Sequence, residues 1–274
     1  VIQMPSQPIQ ISDHRIDADG GALFARRWRR EGAGAGESTL LLFHDSLGCV
    51  DVWRDFPEKL AAATGLPVVA YDRLGFGRSD PNPRQLGRDF RTEEALSSVP
   101  ALRAQLSIDR FVAFGHSVGG AMAVAAAAAF PVACDAVVTE SAQAFVEDRT
   151  LAGIRDAQTQ FADPGQLARL ARYHGDKAQW VLDAWFESWL TPDRADWTLD
   201  AMLAQVRCPV LAIHGDRDEF GSQVHPERIA ARAGGPATTT LLENCGHVPH
   251  REQMERVLDE VTGFLVAIGV AAKA

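Results

Sequence analysis

Ser117 sits in Gly115-His116-Ser117-Val118-Gly119, a G-x-S-x-G pattern between an apolar run at 111–114 and an alanine-rich stretch at 118–130. That context predicts a sharp strand-to-helix turn with a serine at its tip. Such a turn strains the backbone of the serine, and glycines two residues before and after it relieve the crowding. A hydroxyl is a weak nucleophile at neutral pH and needs a base to take its proton as it attacks. Histidine suits that role because its unperturbed pKa is about 6.5. A carboxylate must then fix the imidazole's tautomer and stabilise the imidazolium that forms.

The chain offers these groups downstream in the order acid, then base. His214-Gly-Asp-Arg-Asp218 follows an apolar run at 209–213, where an open α/β sheet carries functional loops. Asp218 is the expected acid. Asp216, nearer the strand, serves the turn in the competing reading, and Glu140, directly after the run at 136–139, is a third acid. Asn244-Cys-Gly-His247-Val-Pro-His250 holds His247 between Gly246 and Pro249, making it the expected base. His250 reads as a helix-start residue, His116 as part of the turn with its side chain aimed away from that of Ser117, and His44 and His214 as structural. Charge building on a carbonyl oxygen also needs preorganised donors. The Val118 amide is one. The Ser46 amide, in the loop His44-Asp-Ser-Leu-Gly48, is the second.

Positioning these groups requires strands and helices in alternation. Residues 9–16 and 22–28 read as antiparallel strands about the turn Asp19-Gly20-Gly21, followed by a flexible loop at 32–36. The continuous apolar runs at 39–43, 67–71, 111–114, 136–139, 209–213 and 238–242 suit strands of a buried parallel sheet. A helix is expected around Trp53, Phe56, Leu60 and Ala63, with others at 93–106, 118–130 and from Pro226. The last helix carries Met254, Val257, Leu258, Val261, Phe264, Leu265 and Ile268 at spacings of three and four. Together these predict an α/β fold with a mostly parallel, doubly wound sheet of about eight strands. Residues 146–206 lack strand signals and hold four of the six tryptophans, so they read as a helical insertion in a core of 1–145 and 207–274. Most of the Trp180–Leu190 stripe reads as packing surface.

Composition bounds the rest. With 46% hydrophobic and 23% charged residues, the 274-residue chain is ordinary for a globular protein. A net charge of −9 argues against nucleic-acid or anionic-membrane partners. Arg26-Arg27-Trp28-Arg29-Arg30 reads as a solvated strand edge. The four cysteines form no C-x-x-C pair, residues 1–6 lack the pattern of a signal peptide, and no run reaches bilayer length; a cytoplasmic setting is expected. The histidines lack metal-ligand spacing and no glycine-rich loop fits a nucleotide, so no metal or cofactor is expected. The expected partner is a small-molecule substrate.

Asp72-Arg-Leu-Gly-Phe-Gly-Arg-Ser79, the loop at 44–48, the serine turn, Gly215-Asp-Arg-Asp218 and Gly246-His247 together resemble the α/β-hydrolase fold family of the compact, helically capped type, over nearly the whole chain. The resemblance implies Ser117 as nucleophile, Asp218 as acid, His247 as base, the Ser46 and Val118 amides as oxyanion hole and 146–206 as cap. It implies hydrolysis of a carboxylic ester, lactone or thioester, with carbon–carbon hydrolysis or perhydrolysis as runner-up and a non-catalytic ligand receptor as the contrasting reading. Serine at the turn excludes the aspartate-nucleophile relatives. Family members usually carry His-Gly where this chain has His44-Asp45, which bears on the course of the oxyanion loop.

Overall fold

The computed structural model describes residues 8–31 and 37–272. The loop expected at 32–36 and the opening residues 1–6 fall outside them. Eight strands form one sheet: β1 (Ile9–Ala18), β2 (Gly21–Arg30), β3 (Thr39–Phe43), β4 (Val68–Asp72), β5 (Phe111–His116), β6 (Cys134–Glu140), β7 (Val210–Gly215) and β8 (Ala237–Leu242), in the order β1-β2-β4-β3-β5-β6-β7-β8. The β1 and β2 pairings are antiparallel; every pairing from β4 through β3 to β8 is parallel.

Alternation along the strands divides the core into two layers. Leu40, Leu42, Val112 and Phe114 face α1 (Phe56–Thr64) and α10 (Met254–Ala267). Their neighbours Leu41, Phe43, Phe111 and Ala113 face α2 (Phe90–Gln105) and α3 (Val118–Ala129). Both faces are covered, which is why these strands read as unbroken apolar runs. Alanines let α3 lie close against the sheet, and ten of its residues are buried.

Between β6 and β7 the described chain is helical: α4 (Asp148–Gln160), α5 (Pro164–His174), α6 (Ala178–Leu190) and α7 (Asp200–Leu203), with one isolated bridge between Phe145 and Thr198. Asp163 caps α5 by accepting from the Gly165 amide at 2.9 Å, and Pro164 occupies its first turn. Hydrogen bonds tie these helices to the loops at the sheet's carboxyl edge. His174 Nε2–H donates to the Leu47 carbonyl at 3.0 Å, Lys177 donates to Gly77 and Ser79, and Thr150 donates to Phe220. After β7, α8 (Val224–Arg232) leads to β8, and α9 (Pro249–Glu252) precedes α10.

Some local expectations shift. Trp53 ends a 3₁₀ turn at Val50–Trp53, and Arg54 at φ 55° separates it from α1, so the apolar spacing there spans two elements. The helix expected from 93 begins at Phe90. The arginines at 26–30 are not at an edge: β2 lies between β1 and β4, Arg26 pairs with Asp13, and Arg27 donates to the Leu106 carbonyl at 3.1 Å. Their charges leave the sheet plane between buried neighbours, which the sequence alternation hides.

Candidate active site

Ser117 takes φ 55°, ψ −125°, between β5 and α3, a region that costs a non-glycine residue about 1–3 kcal/mol. The crowding is severe. A Cβ on Gly115 would lie 2.0 Å from the Gly119 carbonyl oxygen, and one on Gly119 would lie 2.1 Å from that of Phe43. Both glycines expected from the sequence are therefore required by backbone contact.

His247 and Asp218 meet this serine from separate loops. His247 Nε2 is 3.0 Å from Ser117 Oγ, and His247 Nδ1 is 2.9 Å from both carboxylate oxygens of Asp218. The carboxylate fixes the tautomer: Nδ1–H donates to Asp218, leaving Nε2 to accept from the hydroxyl. Asp218 is fully buried. Burial raises its pKa, but the His247 charge and hydrogen bond, His214 and the Phe220 amide outweigh this and hold it below the usual value.

The alternatives sort cleanly. Asp216 serves the turn, accepting from the Cys245 amide at 3.2 Å. Glu140 faces away from His247 and accepts from His250 Nδ1 at 2.5 Å. His250 is thus no helix-start cap; it is buried, its ring tilted 41° against that of Trp53 with centroids 4.7 Å apart. His214 donates its Nε2–H to the Gly221 carbonyl at 3.2 Å, and the same nitrogen stands 3.2 Å from Asp218 Oδ2. The Glu140–His250 pairing joins residues 110 apart, and no local pattern announces it.

In the loop after β3, His44 Nε2 accepts from Arg73, so its Nδ1–H donates to the Asp45 carbonyl at 2.8 Å. Asp45 Oδ1 accepts from the Leu47 amide at 2.7 Å, and the Asp45 carbonyl from Gly48. This tight turn puts Ser46 in the lining of the cavity that Ser117 and His247 also line. Val118 opens α3, where first-turn amides have no intrahelical acceptor. Among the described residues, no hydrogen bond engages the amide of either Ser46 or Val118.

The cavity measures about 290 Å³. Ile154, Phe161, Trp185, Trp189 and Phe220 give it apolar walls, and no Lys or Arg lines it. Trp180 instead packs edge-on to Phe76 at 5.5 Å, and Val181 and Leu182 are buried among α5 and α6, so the aromatic stripe is divided between packing and cavity. Gln143 also lines the cavity; its side chain is 2% exposed, and Oε1 has no partner among the described residues.

His116, Glu140 and His250 bring ligand atoms within 4.8 Å of one another. Two atoms binding one ion at 2.0–2.2 Å stand roughly 3 Å or more apart. The 2.5 Å contact between His250 and Glu140 is instead a hydrogen bond, so the trio does not fit a metal.

A doubly wound sheet, a serine turn after its fifth strand, and an acid and an imidazole from the loops after the seventh and eighth define a class. Residues 38–184 match the model of the α/β hydrolase fold, and the chain belongs to that family. It is 28% identical over 236 residues to the serine hydrolase BPHL of Mus musculus, covering 83% of this chain and 80% of that one. It is 28% identical over 269 residues to 2-hydroxy-6-oxononadienedioate/2-hydroxy-6-oxononatrienedioate hydrolase of Paraburkholderia xenovorans, covering 85% and 88%. A serine hydrolase structure from Cycloclasticus zankles superposes with a TM-score of 0.78 at 17% identity, covering 95% and 99%. The chain is a hydrolase by family. No described helix is long and apolar enough to cross a membrane.

Proposed function

We propose that this hydrolase cleaves carboxylic esters, or the related lactones and thioesters, of small to medium, largely apolar substrates through an acyl-enzyme. The observation that carries the reading is the unbroken line Ser117 Oγ, His247 Nε2, His247 Nδ1 and Asp218, at 3.0 and 2.9 Å. Ser117 attacks the carbonyl carbon as its proton passes to His247. Negative charge on the former carbonyl oxygen is met by the Ser46 and Val118 amides. His247 then returns the proton to the leaving alkoxide, freeing the alcohol. In the second half, His247 takes a proton from water, the hydroxide attacks the acyl carbon, and the proton goes back to Ser117 as the acid departs. Residues 146–206 act as a cap: Ile154, Phe161, Trp185 and Trp189, all from that segment, wall the cavity. The four free cysteines fit a reduced, cytoplasmic setting.

The Paraburkholderia relative favours a second reading, hydrolysis of a carbon–carbon bond. The name of that enzyme specifies a dioate, whereas no Lys or Arg lines the cavity here. Without a Lys or Arg to pair them, burying two carboxylates is costly, which disfavours such a dianion. An ester and thioester panel across acyl lengths, beside a dienol diketone and with Ser117→Ala as control, separates the two. Ester turnover lost in Ser117→Ala supports the proposal, whereas diketone cleavage without ester turnover replaces it.

A further inference from the structure

We propose that His116 is a positioning residue: seated between the Asp45 carboxylate and the His247 carbonyl, its imidazole locks the oxyanion loop and the base loop onto the strand that carries the nucleophile. This rests on the roles proposed above for Ser46, Ser117 and His247.

The contacts are specific. His116 is the last residue of β5 and is 1% exposed. Its Nε2 is 2.8 Å from the backbone oxygen of His247, which accepts only, so Nε2 carries a hydrogen. Its Nδ1 is 3.3 Å from Asp45 Oδ2. Nδ1 lacks hydrogen-bond alignment, so the attraction across that gap is mainly coulombic. The other Asp45 oxygen holds the Leu47 amide and thereby the peptide turn that presents the Ser46 N–H. One ring therefore touches both loops that must converge on Ser117.

Charge decides whether the lock holds. Four titratable groups face the ring: Asp45 from the loop after β3, Glu140 at the end of β6, His247 from the loop after β8, and His250 on α9. Burial pulls the His116 pKa down. The carboxylates of Asp45 and Glu140 and the His247 carbonyl outweigh burial and push it up to about 9. Burial likewise raises the Asp45 pKa, and His116 reverses this to hold it well below the usual carboxylate range. The ring is thus an imidazolium at neutral pH. Above about 9 the Nδ1 proton leaves and a lone pair faces the Asp45 carboxylate, which releases the oxyanion loop. An Asp at the position where the family usually has glycine gains a purpose: it is the counter-charge that makes His116 useful.

The test is the rate at which a fluorophosphonate labels Ser117, together with kcat and KM on the best ester, from pH 6 to 10. Labelling needs the base and the oxyanion hole but no knowledge of the substrate. The wild type should lose labelling rate with an alkaline limb near pH 9. Asp45→Asn keeps an acceptor for Leu47 but loses the charge. Its limb should move toward neutrality, with kcat about tenfold lower at pH 8.5, near wild type at pH 6.5, and KM within threefold. His116→Gln should show no such limb and a kcat about 10–100-fold lower throughout, less than loss of a whole oxyanion donor. Urea midpoints at pH 6.5 check that both variants fold; if His116→Gln does not, Asp45→Asn decides alone. A limb that stays near pH 9 in Asp45→Asn overturns the proposal, whether kcat is unchanged or falls equally at every pH. Wild-type protein that never labels at Ser117 instead overturns the reading of the site itself.

Discussion

His214 Nε2 lies 3.2 Å from Asp218 Oδ2, so the carboxylate that orients His247 is shared between two imidazoles. Burial lowers the His214 pKa against the pull of Asp218, so this second ring is neutral. Its Nε2–H donates to the Gly221 carbonyl at 3.2 Å, which makes Nε2 the protonated nitrogen and leaves the positive end of the N–H dipole beside Asp218. His214→Phe fills similar space and removes that donor. We expect kcat/KM to fall about tenfold with KM little changed, and unfolding stability to drop by about 1–3 kcal/mol, the cost of an unmet buried polar group. Steady-state kinetics and urea titration measure the two effects separately.

The serine turn holds its residue in a strained backbone conformation. Ser117 holds φ 55°, where glycine is at ease and alanine is not. Ser117→Ala and Ser117→Gly should both lose turnover by about 10⁴-fold or more, since each removes the nucleophile. They should part in stability: Ser117→Gly should unfold at higher urea than Ser117→Ala, by about 1 kcal/mol. Equal midpoints would mean that the turn is not strained.

How far the sequence reveals this site depends on the range of the interaction. The inner strands are legible because a sheet buried on both faces demands long apolar runs, as at Thr39–Phe43, and β1 and β2 because a Gly-Gly turn separates them. Ser117, His247 and Asp218 are legible because the turn and the two loops carry local signatures of glycine, proline and strand ends. Asp45–His116 and Glu140–His250 are not. They depend on which strands are neighbours, and a buried histidine reads the same in sequence whether it packs or pairs. The Arg26–Arg30 run misleads for a related reason: alternation shows that a strand has two faces but not that Asp13 lies across from Arg26 on β1. The start of α2 at Phe90 precedes its apolar repeat, so periodicity sets it late.

Five of the six buried histidines make folding stability depend on pH in one direction. Burial is the first cause lowering the pKa values of His44, His174, His214, His225 and His250; for His225 the value falls to about 4. An unfolded histidine titrates near 6.5. Between these values the unfolded chain binds protons that the fold refuses, so stability is fully present above pH 6.5 and is lost as pH falls toward 4. Urea midpoints should be lower at pH 5 than at pH 7. His225 Nδ1 accepts from the Ala144 amide at 3.1 Å while Nε2–H donates to Glu147 at 3.1 Å. His225→Gln, which has no proton to gain, should flatten the slope over that interval. A wild-type slope of the opposite sign would contradict the assignment of these rings as neutral.

Gln143 bears on substrate choice. Its amide is 2% exposed and lines a cavity whose other walls are mainly apolar, and no described hydrogen bond uses it. A buried amide left unmet costs about 1–3 kcal/mol, which a hydroxyl or carboxamide on the substrate can recover by hydrogen-bonding to it. Esters matched in size, one with such a substituent on the acyl chain and one with a methyl group in its place, test this directly. The wild type should prefer the polar member in kcat/KM by about tenfold. Gln143→Leu should reverse the order, because it removes the partner and adds apolar wall, so the methyl ester gains while the polar one must bury an unmet group. A preference for the methyl ester in the wild type, unchanged in the variant, would show that Gln143 faces away from bound substrate.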